Sequence, residues 1–248
     1  MMQATLGHIS EINRFPVKSF GGERLEHCDL EPHGMLGDRI GAFYDETKAG
    51  WNKFVTARNI PDMLAYQARY DNGEIRVTGA DGRTFGWNDD LLGDIQKLTS
   101  TPISMSRLKE PHPEHSQLMS VDEGSLLLVT DASIRRLAEL WGKDVDQRRF
   151  RGNFVVTLAG GAPDEEEWLG RTLAIGDVRL RVDSRCERCV MITMDPDTRA
   201  KDPSLLKQVN QSFGNHFGVY ASVVRTGRIR LGDQVEWIAE SEAEDGGE

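Results

Sequence analysis

Two cysteines three residues apart, Cys186 and Cys189, lie in the stretch S-R-C-E-R-C-V-M-I-T-M-D-P-D-T from Ser184 to Thr198. Thiolates suit soft metals, redox exchange or nucleophilic attack, and the neighbouring Arg185 and Arg188 are of the charge that favours thiolate over thiol. A structural zinc site needs four ligands. Cys28 and six scattered histidines supply no second Cys-x-x-Cys or His-x-x-x-His to complete one. A thioredoxin-like pair should open a helix after a strand, whereas Val190 to Met194 is an apolar, β-leaning run closed by Pro196. An iron–sulfur cluster generally takes four cysteines, and the chain has three. Two readings stay open: a buried, inert pair, and one thiolate that helps to hold a cofactor bringing its own ligands.

Basic residues form the second set with chemical potential. Arg148, Arg149 and Arg151 precede a strand at Asn153 to Leu158, where guanidinium groups can fork onto an oxyanion or form a solvated charge cluster. The opening segment adds Lys18 and Ser19 on a loop between Pro16 and Gly21-Gly22.

The elements that must position these groups are mostly short strands. Strand patterns end at Ile12 and cover Arg24 to Leu30, Asp38 to Tyr44, Phe54 to Thr56, Leu64 to Tyr70, Glu74 to Val77 and Thr84 to Trp87. Asp71-Asn72-Gly73 and Asp81-Gly82 are hairpin signals between them. This spacing predicts an antiparallel, barrel-like sheet. Leu91, Leu92, Ile95 and Leu98 fall at helical spacing. A second helix is predicted after Thr130-Asp131-Ala132-Ser133, with Ile134, Leu137, Ala138 and Trp141 on one face and Gly142 at its end. The acidic turn Asp164 to Glu167 reads as surface, and Leu173 to Val182 as a strand. A third helix begins at Pro203 with Asp202 as its cap. Val219 to Val224 and Arg228 to Leu231 flank Thr226-Gly227 as a hairpin, before a last strand through Trp237. The fold class is mainly β with a few helices. The boundary is placed at a linker over 110–116, giving domains at 1–115 and 116–239 and a disordered acidic tail at 240–248.

Composition narrows the function. The net charge is −10, and the five acids of 240–248 account for half of it. That balance argues against a nucleic-acid binder, which needs a basic surface. No run approaches the roughly 20 apolar residues of a membrane helix, and the first residues lack a basic and apolar leader, so a cytoplasmic location is expected. There is no P-loop, no dinucleotide fingerprint, no nucleophile elbow and no H-E-x-x-H.

Taken in order, F-P-V-K-S (Phe15 to Ser19), G-x-x-G-D-R (Gly34 to Arg39), T-x-R-x-x-P (Thr56 to Pro61), T-D-A-S (Thr130 to Ser133), R-R-F-R-G-N (Arg148 to Asn153), R-C-x-x-x-x-x-D-P-D-T (Arg188 to Thr198) and F-G-V-Y (Phe217 to Tyr220) resemble one family. It is that of MOSC-domain proteins in which a β-barrel domain precedes the MOSC domain, the family of the mitochondrial amidoxime-reducing component and its bacterial relatives. The resemblance implies a molybdenum cofactor, a metal held by the dithiolene sulfurs of a molybdopterin, with Cys189 as the added protein ligand and Cys186 as its neighbour. It also implies that Lys18, Ser19, Arg39, Arg151, Asn153 and Arg188 contact the cofactor. The activity implied is reduction of small N-hydroxylated substrates such as amidoximes, hydroxylamines or hydroxylated bases. Some bacterial relatives carry a ferredoxin-like domain. Here no four-cysteine cluster occurs, so electrons are expected from a separate ferredoxin-, flavoprotein- or cytochrome-like protein. Glu187 stands where a small polar residue would sit more easily beside an anionic cofactor. The rival readings are a sulfur carrier with a persulfide on Cys189, and a protein that holds the cofactor without turnover.

Overall fold

The computed structural model describes residues 5–107 and 124–238. The linker expected at 110–116 and the acidic tail expected at 240–248 lie outside the described residues.

The first strand, β1 (Thr5–Arg14), buries Leu6, Ile9 and Ile12 and pairs with the short β2 (Glu23–Leu25). The expected strand over Arg24 to Leu30 is therefore two, β2 and β3 (His27–Glu31), with Glu26 between them. β3 pairs with β4 (Gly34–Met35). Next come β5 (Gly41–Tyr44), β6 (Phe54–Val55), β7 (Gln67–Asp71), β8 (Glu74–Thr78), β9 (Thr84–Gly86), α1 (Asp89–Gln96) and β10 (Ser104–Arg107). They form two three-stranded sheets, β10-β5-β6 and β7-β8-β9. The β7–β8 turn places both Asn72 (φ +49°) and Gly73 (φ +86°) in the left-handed region, as a tight hairpin demands. Phe20, Phe43, Met63, Ile75, Leu91 and Ile95 fill the core between these sheets and α1.

The second half runs β11 (Leu126–Thr130), α2 (Asp131–Trp141), β12 (Phe154–Leu158), β13 (Thr172–Ile175), β14 (Val178–Glu187), α3 (Pro203–Phe213), β15 (His216–Arg225), β16 (Gly227–Arg230) and β17 (Gln234–Trp237). Its strands close into a seven-stranded barrel in the order β12-β11-β15-β14-β13-β17-β1, with β1 returning to β12. β1 belongs to this barrel although it precedes the expected boundary at 115. Leu128, Phe154, Leu173, Leu180, Val182 and Val219 pack in its interior with Trp168.

The helices begin and end where their caps dictate. Thr130 Oγ1 accepts from the Ser133 amide at 3.1 Å, Gly142 takes the left-handed exit, and Asp202 caps Ser204 at 3.0 Å. Two further strand expectations change. Leu173 to Val182 is a hairpin that turns at Gly176 (φ +57°) rather than one strand. β16 does not pair back on β15; it pairs with β3, because Ile229 is buried there against Cys28 and Leu30 in the barrel core.

The acidic turn expected at the surface is instead an anchor. Glu165 is 1% exposed and accepts from the hydroxyls of Thr130 and Ser133 at the start of α2. Two hydroxyl donors in range outweigh its polarity, since a buried carboxyl is tolerated only when hydrogen-bonded. Burial pushes its carboxyl above the ordinary 4.5. The stability from this group is thus present below pH 4.5 and lost as pH rises through the folded-state value. Glu165→Gln is expected to remove that decline, seen as a variant that gains on the parent between pH 4 and pH 8 in urea midpoints.

Candidate functional site

The two halves meet at a cleft of about 490 Å³. Lys18, Ser19, Arg39, Thr56 and Arg58 line it from the first half. The second half contributes Arg149 to Arg151, Cys186 to Cys189, Met191, Ile192 and Tyr220. Of the seven residues that the resemblance assigns to the metal or cofactor, six therefore share one cavity wall, Lys18, Ser19, Arg39, Arg151, Arg188 and Cys189, and Cys186, Arg149 and Glu187 lie on it with them.

Main-chain bonds hold the first-half loop in place. The Lys18 amide donates to Gly41 O at 2.9 Å, the Arg39 amide to Phe15 O at 2.8 Å, and the Phe15 amide to Asp38 Oδ1 at 2.7 Å. Ser19 (φ +68°), Arg39 (φ +49°) and Arg151 (φ +56°) all take left-handed backbone. Such a conformation costs a non-glycine residue about 1 kcal/mol or more, and it collects at sites where the surroundings over-determine it. Three of these residues on one wall make it the candidate ligand site.

Asn153 is placed differently from the other basic-motif residues. It is fully buried and does not line the cleft. Its Oδ1 accepts from the Leu127 amide at 3.0 Å and from Arg39 Nη1 at 3.2 Å, and its Nδ2 donates to Asn13 O at 3.2 Å. Arg39 is further fixed by Asp38 and by Arg151 O at 3.0 Å. The Phe15 ring carries the guanidinium groups of Arg39 and Arg151, 5.3 Å and 4.2 Å from its centroid. Asn153 therefore orients a cleft residue from below.

The cysteine loop leaves β14 after Glu187. The Arg188 amide donates to Asn215 O at 2.8 Å, and the chain then makes a 3₁₀ turn over Val190–Thr193. The apolar run expected to be β-leaning is this turn, in which Ile192 and Thr193 are buried and Val190 is half exposed. Cys189 stands just before it and is exposed, while Cys186 is buried. The arginines beside them do not aim their charge at the thiols. Arg185 pairs with Glu166 at the surface. The Arg188 guanidinium is 8% exposed and donates to Phe217 O at 2.8 Å and Phe150 O at 3.0 Å. Gly218 (φ +78°) makes room for it: a Cβ there would lie 2.7 Å from Leu128 O and 3.4 Å from Arg188 Nη2. Cys28, in the barrel core, has its thiol pushed up to about 12 by burial and is chemically quiet.

One organising residue carried no separate signal within the arginine run. Arg149 donates to Ile192 O at 3.3 Å and Thr193 O at 3.1 Å and pairs with Asp195 at 2.9 Å. Asp195 accepts from the amides of Thr198 (2.8 Å) and Asp197 (3.1 Å), and these bonds with the Thr198 hydroxyl hold its carboxyl below the usual range. The R-R-F-R and D-P-D-T motifs are thus one clamp on the turn that follows Cys189.

The donor set fits a particular kind of metal group. Among the described residues no three His, Cys, Asp or Glu side chains gather to hold an ion. One accessible thiol on a cation-lined wall suits a soft metal that arrives with its other ligands on an anionic carrier. The sequence comparisons agree with that class of protein. Residues 6–111 match the MOSC N-terminal beta barrel domain and residues 115–236 the MOSC domain. The chain belongs to the MOSC-domain family. It is 33% identical to human mitochondrial amidoxime reducing component 2, over 93% of this chain and 83% of that protein. It is 35% identical to a molybdenum cofactor sulfurase of Drosophila mojavensis, over 79% of this chain and 24% of the sulfurase. The YUAD protein of Bacillus subtilis shares the fold, with a TM-score of 0.51 at 13% identity, covering 95% of this chain and 98% of that one. Among the described residues no helix is long and apolar enough to cross a membrane.

Proposed function

We propose that this protein is a molybdenum-cofactor-dependent reductase of N-hydroxylated compounds. The observation that carries the reading is the meeting of the exposed Cys189 thiol with cationic residues of both halves in one cleft. Cys189 would ligate the metal, and Lys18, Ser19, Arg39 and Arg151 would receive the anionic end of the molybdopterin. Arg188 and Asn153 act from behind, fixing the backbone of Phe150 and Phe217 and the guanidinium of Arg39. When bound, the cofactor supplies the two-electron reduction that cleaves the N–O bond. The balance is R=N–OH plus two electrons and two protons giving R=NH and water.

The chain contributes binding, orientation and a wall that limits water. It carries no dinucleotide fingerprint and only three cysteines, so the electrons come from a separate donor protein. Protein loaded with the cofactor is expected to reduce benzamidoxime with an artificial one-electron donor and to do nothing with a nicotinamide alone. Absence of turnover in fully loaded protein, across several N–O substrates and donors, would overturn the reductase.

A second reading is favoured by two observations together: the similarity to a sulfurase and the placement of Cys186 and Cys189 on one cleft wall. In it Cys189 carries a persulfide for delivery elsewhere. Labile sulfur on Cys189 in molybdenum-free protein would support it.

A further inference from the structure

Among the described residues lining the cleft six are basic, and Glu187 is the one acid. A wall built only to receive an anion gains nothing from a carboxylate, which repels that ligand. Nor does Glu187 neutralise the wall: among the described residues it forms no ion pair. Its one hydrogen bond is from Asn215 Nδ2 to Oε1, at 3.1 Å. Asn215 is itself held firmly, in left-handed backbone (φ +67°) with its carbonyl accepting from the Arg188 amide. The carboxylate is thus oriented by a rigid neighbour, two positions from Cys189, with acceptor capacity remaining on both oxygens.

From this we infer that Glu187 selects the substrate, favouring N-hydroxylated compounds that bear an NH2 group on the same carbon, as amidoximes and N-hydroxyguanidines do. The inference rests on the reductase reading and names the substrate class for that same cleft. Such molecules present N–H donors beside the N–OH group, and their amidine or guanidine products are cations at neutral pH. A carboxylate meets both forms with charge-assisted, two-pronged hydrogen bonds. Compounds lacking that NH2 group, such as hydroxamic acids, offer it no equivalent.

The test uses cofactor-loaded protein, Glu187→Gln and Glu187→Ser, and three probes: benzamidoxime, benzohydroxamic acid, and benzamidine as a ligand that binds without electron transfer. Glu187→Gln should raise KM for benzamidoxime and Kd for benzamidine about tenfold, the worth of one hydrogen bond to a charged group. Its kcat and molybdenum content should stay within about twofold, and its KM for benzohydroxamic acid should not move; Glu187→Ser should behave alike. Equal changes for both substrates, unchanged benzamidoxime kinetics in a turning-over protein, or no benzamidine binding by the parent would overturn the inference. Benzamidine binding that depends on Glu187 in a protein that reduces no N–O compound would support this recognition role and overturn the reductase alone.

Discussion

Cys189→Ser should leave the protein folded but nearly free of molybdenum, with reductase turnover lower by about 100-fold or more, since even outer-shell changes at metal sites cost 10- to 100-fold. Serine keeps the size of the side chain and removes the soft donor. Cys189 is exposed in the cleft, so the exchange disturbs no packing. Cys186→Ser is the informative companion, because Cys186 lines the same cleft yet is buried and directs its thiol toward Glu187 O at 3.7 Å. It should keep most of the metal. Molybdenum per chain, measured on protein made in a host that synthesises the cofactor, reads both variants; equal loss would establish a two-cysteine site.

Arg39→Ala should cost about 3–5 kcal/mol of stability, the range for removing one partner of a buried ion pair. Both Arg39 and Asp38 are 8% exposed, and the guanidinium also bonds Asn153 and Arg151 O. Its loss takes the counter-charge from the buried Asp38 carboxylate, which keeps the Phe15 amide, and one of the two donors from Asn153 Oδ1, which keeps the Leu127 amide. Arg39→Lys should recover only part of this, since a point charge cannot fork to several acceptors. Arg76→Ala, at an exposed position on β8, is the control and should shift the urea midpoint little. Cofactor loading should fall as well, because the proposal also gives this guanidinium a place against the anion. Full loading in the folded variant would remove Arg39 from the anion site.

What could be read from the sequence was what neighbours along the chain determine. The cap at Thr130 and the exit at Gly142 bound α2 as expected, and Asn72-Gly73 forces its hairpin, because both depend on a few adjacent residues. Motif order brought Lys18, Arg39, Arg151, Arg188 and Cys189 to one wall. Where side chains aim depends on partners far off in sequence. Arg188 turns inward because Phe217 and Phe150 offer carbonyls and Gly218 leaves space. Glu165 is buried because two hydroxyls some thirty residues earlier await an acceptor. β16 joins β3 because the barrel core there has room for Ile229.

The return of β1 to β12 bears on how the protein is made. Its register sets Gly7 against Leu158 on one side and Thr5 against Glu236 on the other. During synthesis the first strand must wait for nearly the whole chain before both edges are satisfied, and pairings of such sequence separation form slowly. Until then β2 covers it at Ile12 to Arg14 and the rest is an open apolar edge, the kind that draws chaperones or other chains. The cleft shares this schedule, since its walls come from both ends of the wait. On the proposed function, cofactor insertion would be a late, post-translational event, and severing the chain between its halves would yield fragments expected to assemble only together, the shorter one carrying the strand its partner needs to close.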